Sequence, residues 1–213
     1  MSEIDFQVLD AKPQPYAAIP TLAFRLRIEE PSGAAIHSIS LHCQIRIEPQ
    51  RRRYSKAEEE CLRELFGATS QWGDTLKPFL WTHVDMMVRG FEGSGEIDLH
   101  VPCTYDFEVA AAKYLHSLGD GEIPLLFLFN GTVFAKGQTG LSVSQLAWHK
   151  DASYRLPVRV WREVMDLYFP NSGWLRLRRD TIDELLKFKA RHALATWDQV
   201  FEVLLKGAGE KAA

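Results

Sequence analysis

Histidine and cysteine come closest to a metal-binding pattern at two places in the chain. His100 precedes Cys103 by three residues, and His42 is followed directly by Cys43. Imidazole and thiolate are ligands that zinc prefers, so these residues could hold an ion if their strands were neighbours. Strand alternation, however, sends His42 and Cys43 to opposite faces, and Cys43 continues an apolar series. We therefore predict no metal or other cofactor, with a metal-binding module as an alternative.

Acidic residues offer a second kind of chemistry. Asp85 would lie opposite Glu96 or Asp98 if the two stretches formed a hairpin, and glycosidases use such carboxylate pairs. Exposed strand faces carry acids routinely, so we interpret these residues as solvated surface. Ser172 lies in an Asn-Ser-Gly turn without the GxSxG pattern of a nucleophile elbow. A hydrolase with an unrecognised site remains an alternative.

Arginine and aromatic residues occur together at 51–54 and at 168–179. The first cluster precedes an acidic stretch at 58–60, which can neutralise it locally. The second has more aromatic and guanidinium surface than a connecting loop needs, and such residues are enriched at the centres of protein interfaces. We predict that this second cluster binds a protein partner; the alternative is that its rings anchor helices while its arginines are solvated. Its members are Tyr168, Phe169, Trp174, Arg176, Arg178 and Arg179.

Composition limits the class of protein. The chain has 213 residues, of which 46% are hydrophobic and 25% charged, with a net charge of -3. These values are typical of a folded globular protein and disfavour a nucleic-acid-binding function. Three cysteines cannot form a closed set of disulfides, the first five residues lack a signal-peptide pattern, and the apolar run 123–129 is too short to span a membrane. We expect a cytoplasmic protein without a membrane span.

The elements that would position these residues are mostly strands in the first 156 residues, where apolar residues alternate with polar ones. We expect residues 22–28 to pair antiparallel with 39–47, and residues 84–88 to pair with 97–101 across a hairpin loop. Asn130-Gly131 is typical of a type I′ turn and predicts a third hairpin at 125–134. Short connections without regular strand-helix alternation favour an antiparallel sandwich over a parallel sheet.

Helical periodicity appears in three regions. A capping box at Ser55 and Glu58 opens a helical insertion at about 55–76, and Asp106 is a possible cap for a helix at 106–118. Beyond Pro157 the sequence predicts three helices, two of them opened by the capping boxes Thr181/Glu184 and Thr196/Gln199. The predicted fold is α+β: an antiparallel β-sandwich-like core with a helical insertion over 1–156, a C-terminal helical region packed on it over 157–206, and a frayed tail at 207–213.

One segment carries a family resemblance. Residues 166–177, with Asp180 and the Leu-Leu-Lys-Phe stretch at 185–188, resemble the C-terminal part of an uncharacterised bacterial family. Genes of that family often neighbour those of oxygen-tolerant uptake [NiFe]-hydrogenases. The resemblance implies an accessory or maturation role near a hydrogenase, and it assigns no functional residue.

These observations predict a non-catalytic accessory or assembly protein that acts by binding another protein. By the resemblance, the partner would be a hydrogenase subunit or maturation factor. The alternatives are a small-ligand or metal-binding module and the hydrolase mentioned above.

Overall fold

A computed structural model describes residues 4–104, 106, 109–137, 140–173 and 175–209. The chain divides into two compact units, Met1–Trp174 and Leu175–Ala213. The strands of the first unit are β1 (Asp5–Pro13), β2 (Thr21–Glu29), β3 (Ala35–Ile47), β4 (Phe79–Glu92), β5 (Ser94–Pro102), β6 (Glu122–Gly137), β7 (Gly140–Gln145) and β8 (Lys150–Pro157).

These strands form two antiparallel sheets. Sheet A has the order β1-β2-β5, and sheet B has the order β4-β3-β6-β7, with β8 also paired to β6. The apolar faces of the two sheets meet in a shared core, where Phe6 stacks on Phe129 at 4.2 Å between ring centroids and Phe24 meets Phe127 edge-on at 5.1 Å. Alternating apolar residues are buried on these inner faces. The predicted α+β class with an antiparallel core is confirmed.

Two predicted strand pairings are wrong because the chain changes sheet where the pattern predicts a hairpin. β2 pairs with β1 and β5, whereas β3 and β4 pair with each other in sheet B. The carboxylate of Glu30 closes the first crossover by accepting hydrogen bonds from the Ser32 hydroxyl and from Ala34 N at 2.7 Å. Glu30 N donates to Gly93 O at 2.7 Å in the second crossover. Both crossovers therefore meet at one corner of the sandwich.

The predicted hairpin at 125–134 is also wrong. β6 continues through Asn130-Gly131, and every second residue from Ile123 to Val133 keeps its inward direction. Gly131 has φ +151°, and a Cβ atom there would lie 2.1 Å from Ser40 O on β3. This glycine is needed because two strands approach closely, not because the chain turns.

The helices of the first unit are short. The insertion contains α1 (Lys56–Cys61), α2 (Arg63–Phe66) and α3 (Trp72–Thr75), followed by α4 (Ala110–His116) and α5 (Val158–Tyr168). The Ser55/Glu58 capping box is present at α1, as predicted. Asp106 does not cap α4, since Val109 occupies the N-cap position. Residues 107 and 108 of the predicted helix lie outside the described residues. The face of α5 with Trp161 and Val164 is buried in the core.

The second unit contains α6 (Arg179–Arg191) and α7 (Trp197–Gly207). The predicted capping box at Thr196 and Gln199 is present in α7. The one predicted at Thr181 is not, because α6 begins two residues earlier and has Arg178 at its N-cap. No helix among the described residues is long and apolar enough to cross a membrane.

Candidate functional site

The two cysteines considered as metal ligands lie where metal chemistry is unfavourable. Cys43 and Cys103 are buried, and burial raises the pKa of each thiol to about 12. His42 points to the opposite face of β3 from Cys43, as predicted, and His100 and Cys103 are associated with sheet A rather than with β3. Within the described ranges, no group of three or more His, Cys, Asp or Glu side chains is arranged to hold a metal ion.

The acidic residues considered for a glycosidase-like pair are in different sheets. Asp85 belongs to β4 in sheet B, where its register partner is His42. Asp98 of β5 accepts a hydrogen bond at 2.7 Å from Arg25 Nε, and these contacts hold the pKa of Asp98 below its usual range. Glu96 pairs with Arg27 at 2.9 Å. Both β5 carboxylates thus belong to cross-strand ion pairs of sheet A.

Within the arginine cluster at 51–54, Arg52 is neutralised by Glu58 of the acidic stretch, as predicted, and Arg51 pairs instead with Glu48. Arg52 donates to Glu58 Oε1 at 2.5 Å and to the carbonyl oxygens of Asp120 and Glu122, with only 7% of its side chain exposed. Burial by itself raises the pKa of Glu58. Hydrogen bonds from the backbone N–H groups of Ser55 and Gly119, together with the charge of Arg52, lower the pKa by more than burial raises it, so the net shift is downward. This ion pair fastens the helical insertion to the segment before β6.

Two tyrosines, the half-buried Tyr54 and the fully buried Tyr114, extend the same polar cluster. Tyr54 Oη donates to Pro49 O at 2.7 Å and lies 2.8 Å from Tyr114 Oη. Burial is the largest cause of the raised pKa of both phenols, which reaches about 12 for Tyr54. The rings pack edge-on against each other inside the core, so we assign this cluster a structural role.

The predicted partner-binding residues differ in their surroundings. Tyr168 Oη donates to Gln14 O and accepts from Ala17 N, both at 2.9 Å, which attaches the end of α5 to the β1–β2 loop. Phe169 is half-buried, and Trp174 lies outside the described residues. In the second unit the three arginines Arg176, Arg178 and Arg179 are exposed. Their binding role stays a prediction.

A feature that the sequence did not indicate lies on the outer face of sheet B. β6 pairs with β8 up to Phe129 and with β7 from Thr132 onward, so its partner changes at Asn130-Gly131. The strand register places Asp85, His42 and Asn130 in one row across β4, β3 and β6 at this level. We call this row and the side chains beside it the split-sheet site.

Two open depressions flank the row, with volumes of about 490 and 290 Å³. Both are lined by His42 and Asn130. The larger also takes in Asp85, Ser40, Thr132, Met87 and Gln145, and the smaller takes in Gln44, His83, Leu128 and Trp148. Together they form a surface of mixed polar and apolar side chains at the point where the sheet divides.

The family relationship covers the whole chain. The sequence pattern of the family of unknown function DUF6084 matches residues 1–213. The chain belongs to this family. No curated protein matches its sequence.

Solved structures show only low similarity to this DUF6084 protein. The CARDB domain of a Pyrococcus furiosus protein in complex with di-metal ions has a TM-score of 0.28 and 8% identity, over 73% of this chain and 92% of that chain. A β-glucosidase from Kluyveromyces marxianus has a TM-score of 0.26 and 8% identity, over 72% of this chain and 15% of that one. The β-glucosidase 3B from Thermotoga neapolitana in complex with glucose has a TM-score of 0.26 and 13% identity, over 72% of this chain and 17% of that one. Similarity this low assigns no function.

The histidines of the split-sheet site of the DUF6084 protein are held in a defined arrangement. His42 Nδ1 forms a short hydrogen bond with an Asp85 carboxylate oxygen, and the His42 ring stacks on His83 at 5.4 Å between centroids. A carboxylate only accepts hydrogen bonds, so Nδ1 donates, and in the neutral ring Nε2 is left as an acceptor. Among the contacts of the described residues, no hydroxyl is hydrogen-bonded to this ring, as a serine or threonine nucleophile would be.

Trp148 is presented to this surface by a fixed loop. Its side chain is 91% exposed, although the preceding residues Leu146 and Ala147 are buried. Before the tryptophan, Leu146 N donates to Gly131 O at 2.9 Å; after it, β8 pairs with β6 from Lys150, whose partner is Phe129. The loop is therefore attached on both sides of the tryptophan, and the indole stands beside the smaller depression.

The second unit exposes apolar side chains on α7. Trp197, Phe201, Leu204 and Leu205 recur at helical spacing and are 36–41% exposed, whereas Val200 is fully buried. The rings of Trp197 and Phe201 lie 6.4 Å apart. We call these four exposed residues the α7 stripe.

Proposed function

We propose that this DUF6084 protein is a non-catalytic accessory protein that binds another protein through its second unit. The observation that supports this proposal is the α7 stripe. Amphipathic helices that bind in a partner's groove use anchors spaced by three or four residues, often aromatic or leucine. Exposure of four such anchors on an 11-residue helix is more than a solvated helix needs.

Charge favours a partner with an acidic surface around its groove. Residues 175–209 contain seven Lys or Arg and five Asp or Glu, so this part of the chain is positive although the whole chain has a net charge of -3. Arg176, Arg178 and Arg179 supply exposed positive charge next to α6. Charged rims around an apolar centre orient partners and speed their association. The proposed partner has an apolar groove bordered by acidic side chains; following the sequence resemblance, we propose a hydrogenase subunit or maturation factor.

The experiment begins with affinity purification of the tagged full-length chain from its native cell and identification of co-purified proteins by mass spectrometry. The binary affinity for each purified candidate is then measured by calorimetry, for the wild-type chain and for the double variant Trp197→Ser/Phe201→Ser. The matched control is Leu141→Ser/Val143→Ser, which removes two apolar side chains of the first unit that are 55% and 61% exposed.

We expect the α7 variant to weaken binding by about tenfold or more, because anchor side chains dominate the energy of such interfaces. The control should bind like the wild type. Equal affinity of the wild type and the α7 variant for every co-purified protein would refute the proposal, as would an equal loss in the control. A melting temperature measured for each variant separates a loss of binding from unfolding.

A further inference from the structure

The split-sheet site has the chemistry of a binding surface for neutral sugars. It contributes three side-chain amides, two hydroxyls, two histidines and a carboxylate, and it borders an exposed indole ring. We propose that it binds a neutral saccharide, with Trp148 stacked on one face of a sugar ring and the row Asp85–His42–Asn130 hydrogen-bonded to its hydroxyl groups. This site is separate from the α7 stripe, and the proposal does not depend on partner binding.

The polar side chains match the hydrogen-bonding pattern of a sugar. Each hydroxyl of a sugar both donates and accepts, so a complementary surface needs donors and acceptors side by side. The amides of Asn130, Gln145 and Gln44 supply both, Asp85 accepts, and His42 Nε2 accepts in the neutral ring. The strands of a sheet set these groups in a fixed order, which limits the entropy lost on binding.

The exposed indole supplies the apolar part of the contact. A sugar ring has flat faces of C–H groups, which lose little by leaving water and pack well against an aromatic face. Trp148 borders the smaller depression together with the stacked rings of His42 and His83. Its loop is attached to β6 through the Leu146 N–Gly131 O hydrogen bond and the Lys150–Phe129 pair, so its exposure is part of the fold. A sugar ring in this depression would contact aromatic surface at two sides.

The charge of the site disfavours anionic ligands. Among the described residues that line the two depressions, none is lysine or arginine, and the one residue with a formal charge at neutral pH is Asp85. Phosphate groups and nucleic-acid backbones are recognised mainly by lysine and arginine. A neutral ligand rich in hydroxyl groups is therefore favoured over a nucleotide or a sulfated polysaccharide.

The test uses the full chain and four neutral probes: cellohexaose, xylohexaose, maltohexaose and mannohexaose. Binding is measured by calorimetry and by intrinsic tryptophan fluorescence, with heparin as an anionic comparison. The variants are Trp148→Ala, Trp148→Phe and Asp85→Asn, and the control Tyr16→Ala removes an exposed aromatic ring of the first unit that lines neither depression. Melting temperatures establish that each variant is folded.

We expect at least one neutral probe to bind with a dissociation constant of about 1 mM or lower. Trp148→Ala should weaken binding by about tenfold or more, Trp148→Phe should retain most of it, and Tyr16→Ala should leave it unchanged. Asp85→Asn should weaken it because a neutral amide is a weaker acceptor than a carboxylate for both the His42 Nδ1–H and the sugar hydroxyls. Failure of all four probes to bind, undiminished binding by Trp148→Ala, equal loss in Tyr16→Ala, or preference for heparin would each overturn the proposal.

Discussion

Gly131 is the position at which a single methyl group should disturb sheet B most. Its φ of +151° is unfavourable for any residue with a Cβ atom, at a cost of roughly 1–3 kcal/mol. A Cβ atom would also lie 2.1 Å from Ser40 O, which is backbone and cannot turn away. Moving the backbone to accommodate such an added atom typically costs about 1–3 kcal/mol more. We expect Gly131→Ala to lower the free energy of unfolding by roughly 2–6 kcal/mol, and Gly131→Val by at least as much.

Two other glycines separate these causes. Gly140 has φ +144°, and no atom lies within 4 Å of the position that a Cβ atom would take there, so Gly140→Ala measures the backbone strain alone. At Gly90 no positive φ is involved, but a Cβ atom would lie 2.6 Å from His37 O, so Gly90→Ala measures the steric cost alone. Urea denaturation of the three variants gives the comparison. An unchanged unfolding midpoint for Gly131→Ala would refute the close approach of β6 and β3, and a loss no larger than that of Gly140→Ala would refute its steric part.

Three further predictions concern charge. Arg52→Met should lower the free energy of unfolding by about 3–5 kcal/mol, since it leaves buried Glu58 without its cation, and urea denaturation showing a change below about 1 kcal/mol would contradict this. Burial and the charge of Arg162 lower the pKa of His116 to about 4, so the unfolded chain binds the His116 proton more tightly than the folded chain does; the stability from neutral His116 is complete above about pH 6.5 and declines towards pH 4. His116→Phe should therefore reduce by about 2 kcal/mol the stability that the wild type loses between pH 7.5 and 5. An unaltered pH profile of stability in this variant would refute the assignment. Replacing the three exposed arginines of residues 176–179 by serine should leave the melting temperature nearly unchanged and abolish partner co-purification, and a folded triple variant that still co-purifies its partner would exclude them.

Local patterns predict the elements of this fold better than their partners. The capping boxes at Ser55 and Thr196 are correct because each depends on atoms within four residues. Alternation along β2 and β3 identifies both strands, but an apolar face is equally satisfied in either sheet, so the pattern cannot reveal the crossover at Glu30. Asn130-Gly131 gives a wrong prediction because the sequence alone cannot distinguish a glycine required by the close approach of a neighbouring strand from a glycine required by a turn.

The candidate site is beyond sequence reasoning for a related reason. Asp85, His42 and Asn130 are far apart in the chain and become neighbours only through the register of three strands. Trp148 fits an alternating pattern that predicts a strand, whereas it lies in a loop between β7 and β8. An indole at the end of a weak alternating pattern, directly before a polar His-Lys-Asp stretch, is the one signal that could have identified an exposed ring.

The partner change along β6 has a consequence for how the chain reaches its native state. The paired residues of β3 and β6 are separated in sequence by 99 positions at the Ile36–Ala135 pair and by 78 positions at the Ile47–Leu125 pair. Pairing of strands this far apart in sequence slows folding. The first half of β6 is an apolar Leu-Leu-Phe-Leu-Phe stretch whose second edge is covered only when β8 arrives. Until residues 150–157 have been synthesised, that edge is open to pairing with other chains. Expression of any fragment ending before β8 should therefore yield aggregates rather than a smaller soluble sandwich.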